Sequence, residues 1–151
     1  MSVIKKLVTQ TANDVFTSVA VNTGLTVDGK AGWQIQAVEC YWADGAAVAA
    51  GDWFLNAKVA TIATSTNFQD DDEIARIDWG LQNTGGVAVA VPYEPFKGLA
   101  LAEGRVTVQP SIYLGIESSG TANANDVVFR VYYEIVKLSD LEVLRLLAGG
   151  A

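Results

Sequence analysis

Hydrophobic and polar side chains alternate almost without a fault from Arg105 to Glu117. Val106, Val108, Pro110, Ile112, Leu114 and Ile116 fall on one side, and Arg105, Thr107, Gln109, Ser111, Tyr113 and Glu117 on the other. A period of two sets one group against a core and the other in water, so the run predicts a half-buried strand. A second alternating run, Val127 to Leu138, follows a polar loop over Ser118–Asp126. Alternation of this kind marks an antiparallel sandwich or barrel rather than a parallel sheet covered by helices.

Short runs of the same sort recur upstream, separated by Gly, Asn and Asp. Lys5–Thr11 comes first, then Val15–Asn22, which alternates through Val15, Thr17, Val19 and Val21. Gly24, Gly29 and Gly32 make Thr23–Gly32 a turn-rich loop. In Trp33–Trp42 the apolar set changes from Trp33, Ile35 and Ala37 to Val38, Cys40 and Trp42, which predicts either a β-bulge or a strand buried on both sides. Ala43–Ala50 reads as a small-residue connection, because its alanines favour a helical turn while Asp44–Gly45 and Gly51 favour a loop. Asp52–Thr64 sets Trp53, Leu55, Ala57 and Val59 against Phe54, Asn56, Lys58 and Ala60. Beyond an acidic loop come a short strand through Ile77, Trp79 and Leu81, a turn at Asn83–Gly86, and a strand through Val87, Val89 and Val91. Pro92 and Pro95 end that last strand, since neither can donate to a ladder.

The chain closes with a predicted helix over 139–148. Ser139-Asp140-Leu141-Glu142 is a capping box, with Leu138 and Val143 at the positions of a hydrophobic staple. Leu141, Leu144 and Leu147 fall near one face, and Gly149 is placed for a left-handed C-terminal stop. A helix this short needs something to dock on, either an open end of the sandwich or a neighbouring subunit. Neither a repeat nor a linker breaks the pattern, so residues 1–151 read as one all-β domain, an antiparallel β-sandwich of about eight strands with a short C-terminal α-helix.

Composition narrows the chemistry. The net charge of −7 and ten scattered Lys and Arg residues argue against a nucleic-acid partner, whose phosphates need clustered cations. Histidine is absent, which removes the commonest general base, the usual catalytic triad and most zinc sites. Cys40 is the only cysteine, so it forms no internal disulfide and reads as a buried structural thiol. The sequence has neither a membrane-spanning apolar stretch nor the apolar core of a signal peptide, so synthesis in a reducing cytoplasm is the expectation.

The candidate sites are weak. Asp70-Asp71-Asp72-Glu73 is the densest charge cluster, but consecutive acids in a loop cannot all converge on one ion, and it reads as a solvated loop or as a calcium site completed by another chain. Glu39, Asp52, Asp78, Glu117 and Glu134 form the pool from which a glycosidase-like pair would come, though none stands out. Trp33, Trp42, Trp53 and Trp79 lie mostly within alternating runs and fit a core better than a sugar-stacking platform. No cofactor or metal site is expected.

The chain as a whole resembles the small single jelly-roll and related β-sandwich proteins that build or decorate virus shells. The features that carry the resemblance are the number of strands with Gly/Asn/Thr-rich turns, a surface rich in Ala, Val, Thr and Asn, and a long final strand, Val127–Leu138, that runs into a brief helix. The resemblance implies a jelly-roll-like sandwich and a non-enzymatic virion protein that associates with copies of itself or with other capsid proteins. It implies no direct contact with nucleic acid and no insertion into a membrane. Shell proteins that package a bare genome often carry a basic N-terminal arm, and Met1–Lys6 is too short and too weakly charged for one.

Val128, Tyr132 and Val136 lie on the second face of the last strand, where a monomer would favour polar residues. Cover on that side would come from the C-terminal helix or from a neighbour, unless the strand is simply central in its sandwich. With Leu141 and Leu144 of the helix, these three residues are the expected interface. The alternative function is a carbohydrate- or ligand-binding β-sandwich module with exposed aromatics, and a third is a small hydrolase using two carboxylates.

Overall fold

The computed structural model describes residues 1–42, 53–63, 73–81, 94–121 and 123–149. These form β1 (Ser2–Thr9), β2 (Thr17–Asn22), β3 (Ala31–Trp42), β4 (Trp53–Ala60), β5 (Glu73–Leu81), β6 (Phe96–Thr107), β7 (Ser111–Ser119), β8 (Asp126–Lys137) and α1 (Asp140–Ala148). The expected small-residue connection at Ala43–Ala50, the turn at Asn83–Gly86, the strand through Val87, Val89 and Val91, and Asp70–Asp72 lie outside the described residues.

Every strand is antiparallel to its neighbours, and the pairing follows one rule. β1 pairs with β8, β2 with β7, β3 with β6 and β4 with β5, as in a long hairpin whose two arms run side by side. Rolling that ribbon up adds the pairs β3–β8 and β4–β7. The result is two four-stranded sheets, ordered β1-β8-β3-β6 and β2-β7-β4-β5. A two-sheet sandwich of eight antiparallel strands wound in this way is a jelly roll.

The alternating residues point where the period of two predicts. Val127, Phe129 and Val131 of the first sheet face Leu55, Val59, Ile112 and Leu114 of the second, and all are fully buried. At one end Trp33 stacks on Tyr133 with ring centroids 3.8 Å apart. Cys40 is buried in the core, and burial pushes its thiol pKa up to about 12, so it is not a thiolate at neutral pH.

Three details depart from the pattern or resolve it. The change of face in Trp33–Trp42 is a β-bulge, with the register of β3 shifting between Ile35 and Ala37 against both neighbours. Opposite it, β6 takes an excursion at Leu101–Gly104. Gly104 is left-handed there (φ +68°), and a Cβ would come within 2.8 Å of Gln34. The run Arg105–Glu117 is not one strand. It ends β6 at Thr107, crosses between the sheets, and starts β7 at Ser111. Pro110 has no N–H for a ladder, and the crossing is fixed instead by the Thr23 amide on the Pro110 carbonyl (3.0 Å) and the Thr23 hydroxyl on the Gln109 carbonyl (2.7 Å). The inward set also changes phase at the corner: Thr107 is fully buried, while Val106 pairs with outward-facing Gln34.

The capping box of α1 is present. The Glu142 carboxylate accepts from the Ser139 amide (2.6 Å), and the Ser139 hydroxyl accepts from the Glu142 amide (3.3 Å). Hydrogen bonds from Ser139 hold the Glu142 carboxyl below its ordinary pKa. Gly149 does not adopt the expected left-handed stop: its φ is −88°, and its amide reaches back to the Arg145 carbonyl at 3.1 Å. That bond satisfies the helix end with ordinary backbone, so no glycine-only conformation is required.

One end of the sandwich is closed by a polar network. Gln10, Ser118, Thr121 and Asn125 are all buried there. Asn125 Nδ2 donates to Gln10 Oε1 (2.7 Å) and to Thr121 Oγ1 (3.0 Å), while Asn125 Oδ1 accepts from the Trp42 indole (3.1 Å). At the rim sits Asp14, itself left-handed (φ 56°), which accepts from the Ser118 and Thr121 hydroxyls (2.9 and 2.8 Å) and from the Gly120 amide (3.1 Å). Desolvation pushes the Asp14 pKa up, but the hydrogen bonds from Thr121, Ser118 and Gly120 together outweigh it and hold the pKa below 3.8.

A carboxyl depressed in the folded state stabilises the fold above its unfolded pKa, and that contribution is lost as the pH falls through the folded value. Asp14→Asn tolerates the left-handed backbone while removing the charge. It is expected to cost about 1 kcal/mol at pH 7, the charge-assisted part of these bonds discounted for exposure. The difference should shrink as the pH drops below 3.8. Urea midpoints of both chains at pH 7 and pH 3 check this; a gap that ignores pH would mean the charge is not what Ser118 and Thr121 hold.

Candidate functional site

The outer face of the first sheet carries the densest set of expected interface residues. Opposite residues of antiparallel neighbours share a face, so the register fixes which side chains form rows across the strands. Leu7, Val128, Tyr41 and Phe96 form one row across β1, β8, β3 and β6. The next row is Lys5, Arg130, Glu39 and Gly98, and the third is Val3, Tyr132, Ala37 and Ala100. An apolar row, a charged row and a second apolar row thus lie side by side on a face that points away from the core.

The apolar side chains here are not covered. Leu7 is 54% exposed, Phe96 47%, Tyr41 42% and Val3 53%. Scattered exposed hydrophobic residues are normal on any protein, but contiguous rows across a whole sheet are not. Between the first two rows lies an open groove of about 320 Å³ lined by Lys5, Glu39, Tyr41, Phe96, Val128 and Arg130.

The charged row is held together within the chain. The Tyr132 hydroxyl donates to Glu39 Oε2 at 2.9 Å, and this bond chiefly raises the Tyr132 pKa. Arg130 Nη1 is 3.8 Å from the same oxygen, an ion pair too long for a hydrogen bond. A guanidinium has five N–H donors, so Arg130 keeps capacity for a second acceptor.

Of the five expected interface residues, the structure places Val128 and Tyr132 in these rows. Val136 is half-buried on the same strand, beyond them and opposite Gly32. Leu141 and Leu144 are exposed on α1, whose buried residue is Val143. Leu7, Tyr41 and Phe96 stay exposed, so the helix does not cover their row. Its link to the sandwich runs through the Leu138 amide on the Lys30 carbonyl (2.8 Å) and the Lys30–Asp140 ion pair (3.2 Å).

Leu7, Tyr41 and Phe96 complete the face and were not among the expected residues. Two of them leave a trace in the sequence: Leu7 precedes inward Val8, and Tyr41 sits between inward Cys40 and Trp42, so each makes an apolar neighbour pair that simple alternation would forbid.

The other candidates disperse. Trp33, Trp42 and Trp79 are buried in the core and Trp53 packs against it, so they form no stacking platform. Among the acids, Glu39 belongs to the charged row, while Glu134 is exposed further along β8. Asp78 pairs with Arg76 at 2.7 Å on the other sheet, across which Glu117 lies in line with it through Asn56. Asp52 lies outside the described residues. The outer-face groove is lined by a single carboxylate, Glu39. Glu73 begins β5 and faces Lys58 at 3.5 Å, and no group of metal-ligating side chains occurs among the described residues. No helix among them is long and apolar enough to cross a membrane.

Among the described residues, fold and face together define a jelly-roll sandwich with an exposed, row-patterned sheet surface. No protein-family model matches the chain, and a search of curated proteins finds no match.

Proposed function

We propose that this chain is a virion structural protein, a single jelly-roll capsid subunit or capsid-decoration protein that works by self-association or by binding to a shell lattice. The observation that carries this reading is the outer face of the first sheet, where exposed Val3, Leu7, Tyr41 and Phe96 extend across strands of a rigid scaffold. Such a surface gains most from burial against another protein, at about 25 cal/mol per Å² of apolar area. The partners are copies of the same chain or other shell proteins, with no direct role for nucleic acid or a bilayer.

A carbohydrate- or ligand-binding module is the second reading, favoured by the groove in which Tyr41 and Phe96 stand beside Lys5, Glu39 and Arg130. Aromatic faces next to charged hydrogen-bonding groups suit a sugar.

Light scattering behind a sizing column, with negative-stain images of the leading peak, separates the two. Uniform particles or rings of defined subunit number are expected. A monomer at every concentration, whose fluorescence shifts on titration with an oligosaccharide, would favour the module and remove self-association.

A further inference from the structure

We propose that two copies of this chain dimerise outer face to outer face through the first sheet, about a two-fold axis running along the strands between β8 and β3. The proposal rests on the self-association reading and names its contact. An isologous interface must be complementary to itself, which limits how one face can meet its copy.

An axis along the strands reverses the order of the strands and keeps each row opposite the same row. β8 then lies over β3 of the partner subunit, and β1 over its β6. Arg130 meets the partner's Glu39, and Glu39 meets the partner's Arg130. In the apolar rows Leu7 faces the partner's Phe96 and Val128 the partner's Tyr41. In the third row Tyr132 faces the partner's Ala37 and Val3 the partner's Ala100, a larger side chain over a smaller one each time. The other in-plane axis, across the strands and along the charged row, would set Lys5 on the partner's Lys5 and Arg130 on the partner's Arg130. Like charges so placed are repulsive. Charge and size thus select the same axis.

The area is sufficient. β3 and β8 are each 12 residues long, in a four-stranded sheet. At ~3.3 Å per residue and ~4.8 Å between strands the face measures on the order of 700 Å². A standard stable interface buries about 800 Å² on each partner. Stacked sheets cross at about 30°, which displaces residues in proportion to their distance from the crossing point, here placed at the middle of the three rows. Arg130 and Glu39 flank the axis in that row, so their cross-pairing is the most closely fixed contact.

Charge reversal tests this by sedimentation velocity. Arg130→Glu alone sets acid against acid, and Glu39→Arg alone sets base against base. Each is expected to weaken the dimer about 100-fold. An equimolar mixture of the two should form a heterodimer within about tenfold of the wild-type affinity, because the new acid at position 130 of one chain then meets the new base at position 39 of the other. Mixing cannot repair a contact inside one chain, so recovery reports the contact between chains. If a single reversal fails to fold, the double variant E39R/R130E restores both pairings in reverse and should dimerise like the wild type. A mixture that stays monomeric while both chains are folded would overturn the dimer. So would wild-type assembly that neither reversal weakens, and that result would leave the self-association reading intact on another surface. A wild-type chain monomeric at every concentration would overturn both.

Discussion

Replacing Trp42 by alanine is expected to lower the stability of the fold by about 3–5 kcal/mol. Trp42 ends β3 and is fully buried. Its ring lies tilted against Trp53, 5.5 Å between centroids, and edge-on to Trp79 at 5.8 Å. The indole N–H also reaches Asn125 Oδ1 in the polar network. Alanine would leave a cavity between the sheets, remove both ring contacts and take a donor from a buried amide. A domain of this size holds only about 5–15 kcal/mol in all, so the variant should unfold at markedly lower urea. Trp42→Phe keeps much of the volume and should lose about 1–3 kcal/mol, mainly the hydrogen bond. Circular dichroism through a urea titration measures both. If the alanine variant melts with the wild type, Trp42 is not the anchor of the core that its burial implies.

Asn125→Ala is expected to cost about 3 kcal/mol, more than its side-chain volume accounts for. Asn125 is the hub of the closed end. Besides its bond with Trp42, its side chain donates to Gln10 and Thr121, both buried, and its backbone amide donates to Gln10 Oε1 at 2.9 Å. Truncation strips several buried partners at once, and each poorly satisfied group costs about 1–3 kcal/mol. The network joins β1 to the β7–β8 connection, so amide exchange should speed up in Thr9–Gln10 and around Thr121 before it does in the centre of β8. A loss below about 1 kcal/mol would show that water replaces the amide without penalty, and that the network is less tightly closed than its distances suggest.

The sandwich was legible because one face of each sheet is dry. Trp53, Leu55, Ala57 and Val59 on β4, and Val127, Phe129 and Val131 on β8, read as inward sets directly. β6 was not legible. Gly98 and Gly104 weaken its strand signal, its alanines suit a helix equally well, and its excursion opposite the β3 bulge breaks the period of two. The crossing at Pro110 was hidden for the opposite reason: alternation carried on past the corner while the chain changed sheets. On the outer face, Val128 and Tyr132 could be picked out as apolar where polar residues belong. That Leu7, Tyr41 and Phe96 share a row with Val128 could not, because register across four strands depends on pairings between residues far apart in the chain.

Those same pairings govern how the molecule comes to exist. Ser2 lies opposite Tyr133 and Thr9 opposite Asp126, so β1 finds its partner in β8, far along the chain. Among the described strands β1 pairs with β8 alone, so the first sheet cannot close until β8 has cleared the ribosome. Contacts this distant place such a fold at the slow end, with closure taking on the order of milliseconds to seconds. Throughout that wait the apolar sides of β1 and β3 are exposed on strands with unsatisfied edges, the condition under which β proteins aggregate. Yield in a foreign host should therefore depend on temperature and chaperone supply more than on the stability of the finished sandwich.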